Sequence, residues 1–151
     1  MATKDFFDKK MKIFRITSSS ATLFDALERL LPQLSSSASL PTDKYLEEML
    51  RNDNTHLFAA EYKGAIVGML TLVIVDIPTG RKAWIEDVVV DDQARGLGIG
   101  KALVEKAMAC AKEAEARKLY LTSNPSRKAA HALYTKCGFE EYDTTVFRVK
   151  S

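Results

Sequence analysis

The residues best placed to do chemistry are a run of glycines, one tyrosine and one glutamate. The glycines fall in Asp91-Asp92-Gln93-Ala94-Arg95-Gly96-Leu97-Gly98-Ile99-Gly100-Lys101. An apolar segment, residues 84–90, leads into this stretch, and a long Ala-rich helical pattern leaves it. Strand, glycine turn, helix is an arrangement that builds an anion site. Glycines let the backbone turn tightly and approach a ligand closely. The first N–H groups of the following helix have no internal partners, and the positive end of the helix dipole sits with them. Lys101 adds a charge in the first turn. Two phosphate motifs fail by counting. A P-loop needs four residues between its glycines and then Lys-Ser/Thr. Here Gly96 and Gly100 enclose three, and Ala102 follows Lys101. The dinucleotide fingerprint needs glycine at a sixth position that Lys101 occupies.

What remains is Gln93-x-x-Gly96-x-Gly98. Taken alone it is equally an ordinary glycine-rich turn before a helix. A second stretch accompanies it: Arg127-Lys128-Ala129-Ala130-His131-Ala132-Leu133-Tyr134-Thr135-Lys136-Cys137-Gly138-Phe139. Ala130, Leu133, Tyr134 and Cys137 fall on one helical face. The first motif resembles the pyrophosphate loop of the GCN5-related N-acetyltransferases (GNAT), with its Arg/Gln-x-x-Gly-x-Gly/Ala pattern. The second resembles that family's Ala-x-x-[Phe/Leu]-Tyr-x-x-x-Gly-Phe segment. The close match covers residues 85–139; the N-terminal half matches only in element order.

The resemblance implies acyl transfer from acetyl-CoA to an amine. That reaction needs a neutral amine, so a base must take its proton directly or through water. It also needs a donor for the developing oxyanion, an acid for the leaving thiolate, and alignment of the two substrates. By family position Tyr134 is the acid; a phenol titrating near roughly 10 is protonated at neutral pH. On residue type alone it is more often a packed aromatic. Glu86 is the candidate base. A carboxylate inside an apolar strand is costly unless it is paired or functional, so an ion pair across the sheet is the competing reading. Asp87 is the second candidate, and a water chain the third. Glu86, Val88 and Val90 share a strand face if no bulge intervenes. The resemblance assigns acetyl-CoA contacts to Val88, Val89 and Val90, with a strand N–H near Val88 or Val89 as oxyanion donor. Gln93 and then Arg95, Gly96, Leu97, Gly98, Ile99, Gly100 and Lys101 follow. Asn124 reaches the pantetheine or caps a helix. Arg127 stands where many relatives have asparagine, and contacts a phosphate or is a solvated charge.

The elements that must position these groups are legible by periodicity. Residues 11–17 alternate as a first strand, and one of Ser18, Ser19 or Ser20 caps the next helix. Leu23, Leu27, Leu30, Leu31 and Leu34 recur at helical spacing, with Pro32 expected to end or bend the helix. Thr42 or Asp43 caps a second helix. Residues 55–62 and 65–75 form a hairpin over Lys63-Gly64. Residues 76–82 are a turn, and 84–90 a strand covered on both faces. Residues 97–117 are helical and 118–123 a short strand. Asn124-Pro125 begins a helix that Gly138 ends. Residues 139–142 and 145–150 finish as two strands, joined by a hairpin over Asp143-Thr144. The order is βααβββαβαββ, a mixed α/β (α+β) sheet in the GNAT acyl-CoA N-acyltransferase fold, as one domain over residues 1–151. Three consecutive strands before the glycine loop exclude an alternating doubly wound sheet.

Composition narrows the function classes. The chain has 151 residues, 46% apolar, with 22 basic and 20 acidic residues for a net charge of +2. That near balance does not suggest a nucleic-acid binder. Cys110, Cys137, His56 and His131 show no metal spacing, so no metal is expected. The first ten residues lack the apolar core of a secretory signal, and no apolar run reaches membrane-spanning length; cytoplasm is the default location. The expected activity is N-acetyl transfer directly to a primary amine, with a small-molecule acceptor preferred and a protein amine open. Asp25, Glu28, Glu47 and Glu48 would attract a cationic amine or simply face solvent. A non-catalytic acetyl-CoA-binding or interaction module on the same fold is the alternative. Family resemblance leaves a homodimer open.

Overall fold

The structure, a computed structural model, describes residues 10–151; residues 1–9, most of the segment read above for a secretory signal, lie outside the described residues. In chain order the elements are β1 (Met11–Ile16), α1 (Ala21–Leu34), α2 (Asp43–Arg51), β2 (Thr55–Tyr62), β3 (Ala65–Ile77) and β4 (Gly80–Val90). A 3-10 turn (Asp92–Ala94), α3 (Ile99–Glu113), β5 (Lys118–Leu121) and α4 (Lys128–Lys136) follow. The five strands lie in sequence order in one sheet. The first four are antiparallel neighbours, and β5 joins β4 in parallel.

Local chemistry explains most boundaries. Ser20 caps α1 by accepting from the Leu23 N–H, and Thr42 caps α2 through Tyr45 N–H. Lys63 and Gly64 both have positive φ, the geometry that matches a two-residue turn to strand twist. Pro32 lies inside α1, which continues to Leu34 rather than ending there. The expected turn over residues 76–82 shrinks to Pro78-Thr79. Ladder pairs Asp76↔Arg81 and Ile77↔Gly80 extend both strands, and Arg81 Nε bonds Asp76 Oδ1 at 2.7 Å.

Two buried layers flank the sheet. On one side α1 and α2 present Leu23, Leu27, Leu30, Leu46 and Leu50 to Leu57, Met69 and Val89. On the other, α3 presents Ile99, Leu103, Val104 and Ala107 to Phe58, Leu70, Leu72 and Ile85. Apolar periodicity foresaw both stripes.

Three sequence expectations are corrected. The helix expected from Asn124-Pro125 begins only at Lys128. Asn124 Oδ1 instead accepts from Ser126 N–H at 2.9 Å, and Arg127 N–H bonds Asn124 O at 3.0 Å. The asparagine thus closes a local turn, as this side chain readily does. Second, β4 is bulged. Glu86 is opposite Thr71 and Val89 opposite Met69, so Asp87 and Val88 face Leu70 alone. Asp87 has φ +50°. The extra residue reverses the alternation. Ile85 packs on the α3 side and so do Val88 and Val90, whereas Val89 packs on the α1 side. Glu86 therefore does not share a face with Val88 and Val90. Third, residues 139–151 form neither helix nor strand. A strand exists only through a ladder partner. The tight turn that would fold 145–150 back also needs positive φ, which β-branched Thr144 resists; neither Asp143 nor Thr144 has it.

Gly68 is the tightest point of the α3 contact. A Cβ there would lie 3.1 Å from Ile99 Cγ2, 3.1 Å from Leu103 Cδ1 and 3.2 Å from the Val89 carbonyl oxygen. A carbonyl in a ladder cannot move aside. Gly68→Ala should therefore lower stability by about 1–3 kcal/mol, less a few tenths from reduced unfolded-chain entropy. Urea denaturation at pH 7 checks this; equal or greater stability would show that the layer is looser than these distances.

Candidate active site

The site opens where β4 and β5 part. Their pairing ends at Ile85↔Leu121. Beyond it β4 runs into the glycine stretch and β5 into the turn at Asn124. The gap is a cleft of about 290 Å³, lined by Glu86, Asp87, Val88, Asn124, Arg127 and Tyr134 among others, with Leu34 of α1 at its rim. Arg127 Nη2 donates to the Leu34 carbonyl at 2.9 Å, joining the two walls. That bond uses one of the orphan carbonyls at the end of α1.

Tyr134 and Glu86 come to the cleft from different elements. Tyr134 projects from α4 and packs edge-on against Phe139, with ring centroids 6.0 Å apart. Burial pushes its phenol above the ordinary value, against a smaller opposing effect of Arg127. Glu86 sits on β4 just before the bulge. It is exposed as a residue, yet partial desolvation, then the charge of Asp87, raises its carboxyl above the ordinary range. The ion pair across the sheet is not found: among the described residues Glu86 has no cation partner.

The glycine stretch is shaped for an anion. Gly96 and Gly98 have φ of +81° and +79°, and open space lies where each would carry a Cβ. Gly98 is the N-cap of α3 and offers no side-chain cap, so the first-turn N–H groups are left without side-chain acceptors. Arg95 and Lys101 flank them, paired at the surface with Asp92 (2.7 Å) and Glu105 (3.8 Å). Gln93 and Leu97 are exposed. Three residues assigned above from resemblance have other packing. Ile99 is 1% exposed and its side chain belongs to the core. Val89 turns to the α1 layer. Gly100 faces Leu133, whose Cδ2 would be 3.2 Å from its Cβ, so this glycine lets α4 cross α3 closely. Ile99 and Val89 offer a ligand only their backbone.

Sequence reasoning passed over Asp91. Its carboxylate is buried, accepts from Gln93 N–H at 3.1 Å and from Arg29 Nη1 at 2.9 Å. Arg29 Nη2 also holds the Ile66 carbonyl, and Gln33 Oε1 accepts from Asp92 N–H at 2.8 Å. Thus α1 is bolted to the start of the glycine stretch. The signal was an acid ending an apolar strand, with Arg29 and Gln33 spaced four apart on α1. Elsewhere, Glu47 is engaged by Ser19 N–H at 2.9 Å. Burial raises the Cys137 thiol, which suits packing rather than nucleophilic attack.

Comparisons with known proteins place the chain in a family. The pattern of the acetyltransferase (GNAT) family matches residues 21–139. An N-alpha-acetyltransferase of Sulfurisphaera tokodaii is 31% identical over 142 residues, covering 88% of this chain and 84% of that protein. An uncharacterized N-acetyltransferase of Methanocaldococcus jannaschii is 33% identical over 100 residues, 64% of this chain and 44% of that one. The chain spans 36–59% of the length of three of the curated relatives it matches. In fold, it superposes with a TM-score of 0.83 on an aminoglycoside acetyltransferase from an uncultured soil metagenomic sample, covering 96% of this chain and 99% of that one at 23% identity. The fold is that of the acetyltransferases it superposes on. The chain belongs to the acetyltransferase (GNAT) family.

The Asp91 network makes a pH-dependent prediction. The Gln93 N–H bond, then Arg29, holds the Asp91 carboxyl below its ordinary range. Its contribution is complete above the ordinary carboxylate value and is lost as pH falls through the lowered one. Asp91→Asn should cost about 1.5–3 kcal/mol at pH 7, the scale of a hydrogen bond to a charged group. The difference should shrink toward pH 3. Denaturant titrations at several pH values test this; a constant gap would show that the charge is irrelevant.

Proposed function

We propose that the protein is an acetyl-CoA-dependent N-acetyltransferase that moves an acetyl group directly to a primary amine of a small-molecule acceptor. The observation that carries the reading is that Tyr134 and Glu86, from elements far apart in sequence, line one cleft, whose β4 wall runs on into the glycine stretch. Acetyl-CoA supplies an activated thioester. The uncapped first turn of α3 and the open cradle at Gly96 and Gly98 fit its pyrophosphate, with Gln93, Arg95 and Lys101 around it. Backbone groups of Val88, Val89 and Val90 would hold the acyl arm, with the bulge N–H groups as carbonyl donors. Asn124 and Arg127 are secondary, since each already has a partner within the protein.

Tyr134 keeps its proton at neutral pH and gives it to the departing thiolate. Glu86, on the opposite strand face from Val88, takes a proton from the incoming amine, directly or through water, with Asp87 beside it. Both carboxylates lack cation partners among the described residues, so the cleft favours a cationic amine. Its volume suits a compact acceptor.

Two variants test the roles in an assay of thiol release with a panel of primary amines. Tyr134→Phe should reduce kcat by about 10²-fold or more while KM for acetyl-CoA changes little; full turnover would remove the phenol from the chemistry. The wild-type rate should rise with pH through a value above the ordinary carboxylate range, because Glu86 must lose its proton to act. Glu86→Gln should lower the rate and abolish that limb. A variant with the wild-type profile would transfer the base role to Asp87 or solvent.

A further inference from the structure

The bulge in β4 gives the two faces of the sheet different neighbours. Val88 and Val90 turn toward α3, and Glu86 turns the other way. In the reading above the acyl arm lies with the valines, so the amine reaches Glu86 from the opposite face. Strand alternation names the side chains it meets there. Next to Glu86 on that face come Trp84 and then Lys82, because Ile85 and Ala83 point into the α3 layer. Tyr120 stands beside Trp84 on β5, and Val73 on β3.

The helices leave this part of the face open. The layer under α1 and α2 includes Leu57, Met69 and Val89. Val73, Trp84 and Tyr120 belong to neither core layer, and all three are half-buried. The Trp84 and Tyr120 rings lie 4.9 Å apart with their planes tilted by 30°. With Val73 they form an apolar floor that begins about 7 Å along the strand from Glu86, two residues at strand rise. Apolar surface left open beside a polar cleft is a mark of ligand binding.

Charge gives the floor a direction. Glu86 stands at the cleft end. Lys82 Nζ stands at the other, 5.9 Å from the centre of the Tyr120 ring. A cationic amine therefore enters with its nitrogen toward Glu86 and its body over the rings. A sugar body would bring hydroxyls that need partners. Between the two charges Val73, Trp84 and Tyr120 offer mainly carbon, which suits a flat apolar body instead.

We propose that the acceptor is an arylalkyl primary amine, its ring stacked on Trp84 and Tyr120 and its amino group at Glu86. This rests on the acetyl-transfer reading and names the acceptor class for it. Transfer assays with phenethylamine, propylamine and glucosamine test it. In the wild type kcat/KM for phenethylamine should exceed that for propylamine by about tenfold or more, since even one added methylene in an apolar site is worth such a factor. Trp84→Leu should remove most of this preference, with the loss in KM for the amine. Tyr120→Leu is the second variant, and cooperative thermal unfolding shows that each is folded. Equal kcat/KM for phenethylamine and propylamine, a higher value for glucosamine, or a preference unchanged in both variants would overturn the proposal. Calorimetric titration of phenethylamine into the protein with CoA separates it from the acetyl-transfer reading. Binding that Trp84→Leu weakens, without transfer to any amine, would uphold the ring site and defeat that reading. Absence of both binding and transfer would defeat both.

Discussion

Everything in the site depends on how β4 ends. The strand leaves the ladder twice, once at the Asp87-Val88 bulge and again where its pairing with β5 stops at Ile85↔Leu121. The bulge puts Glu86 on one face and Val88 and Val90 on the other. The parting of the strands leaves a gap that reaches through the sheet between those faces. Tyr134 from α4 and Glu86 from β4 then line one cleft, as the proposed chemistry needs. An unbulged strand would place the carboxylate with Val88 and Val90, crowding the side that the acyl arm would occupy. The positive φ of Asp87 is the local strain this costs, and such strain persists only where surrounding structure enforces it.

The enforcement comes from both layers. Gly68 admits α3 close to β3, and Gly100 admits α4 close to α3. Asp91, Arg29 and Gln33 fix α1 to the first residues after β4. The glycine stretch is thus held from the α1 side by charge and from the α4 side by packing. Its open cradle is a consequence of rigid neighbours rather than of a loose loop.

The fold was legible in the sequence to the extent that each element had a local signature. The helical stripes of α1 and α3, the Ser20 and Thr42 caps and the Lys63-Gly64 turn are all periodicity or cap chemistry. The bulge was not legible, because Glu86-Asp87-Val88 contains no glycine and its apolar pattern reads as well without the extra residue. Asn124 misled because one side chain can cap a helix or close a turn, and only the position of Arg127 over Leu34 separates them. The tail misled for a different reason: its alternation is a genuine strand pattern, but pattern does not supply a ladder partner. In the site, Tyr134 was singled out by its position in a motif that resembles the family's, Glu86 as a carboxylate inside an apolar strand, and the glycines by type and spacing; the structure brings Tyr134 and Glu86 to one cleft. Asp91 was missed because its partners are 58 and 62 residues away, Gln33 through the neighbouring Asp92 N–H and Arg29 directly.

Trp84 is the one tryptophan of the chain. It stands on β4 opposite Tyr120 of β5, with ring centroids 4.9 Å apart, one residue below the point where the strands separate. Tyr120 in turn packs against Tyr142, with ring centroids 5.8 Å apart. The protein's tryptophan fluorescence therefore originates at a single position on the β4–β5 pair, next to the mouth of the cleft. Emission from that indole responds to its polarity and to ring contacts. The chain carries a built-in optical probe that needs no label, set one ladder pair from the point where β4 and β5 separate.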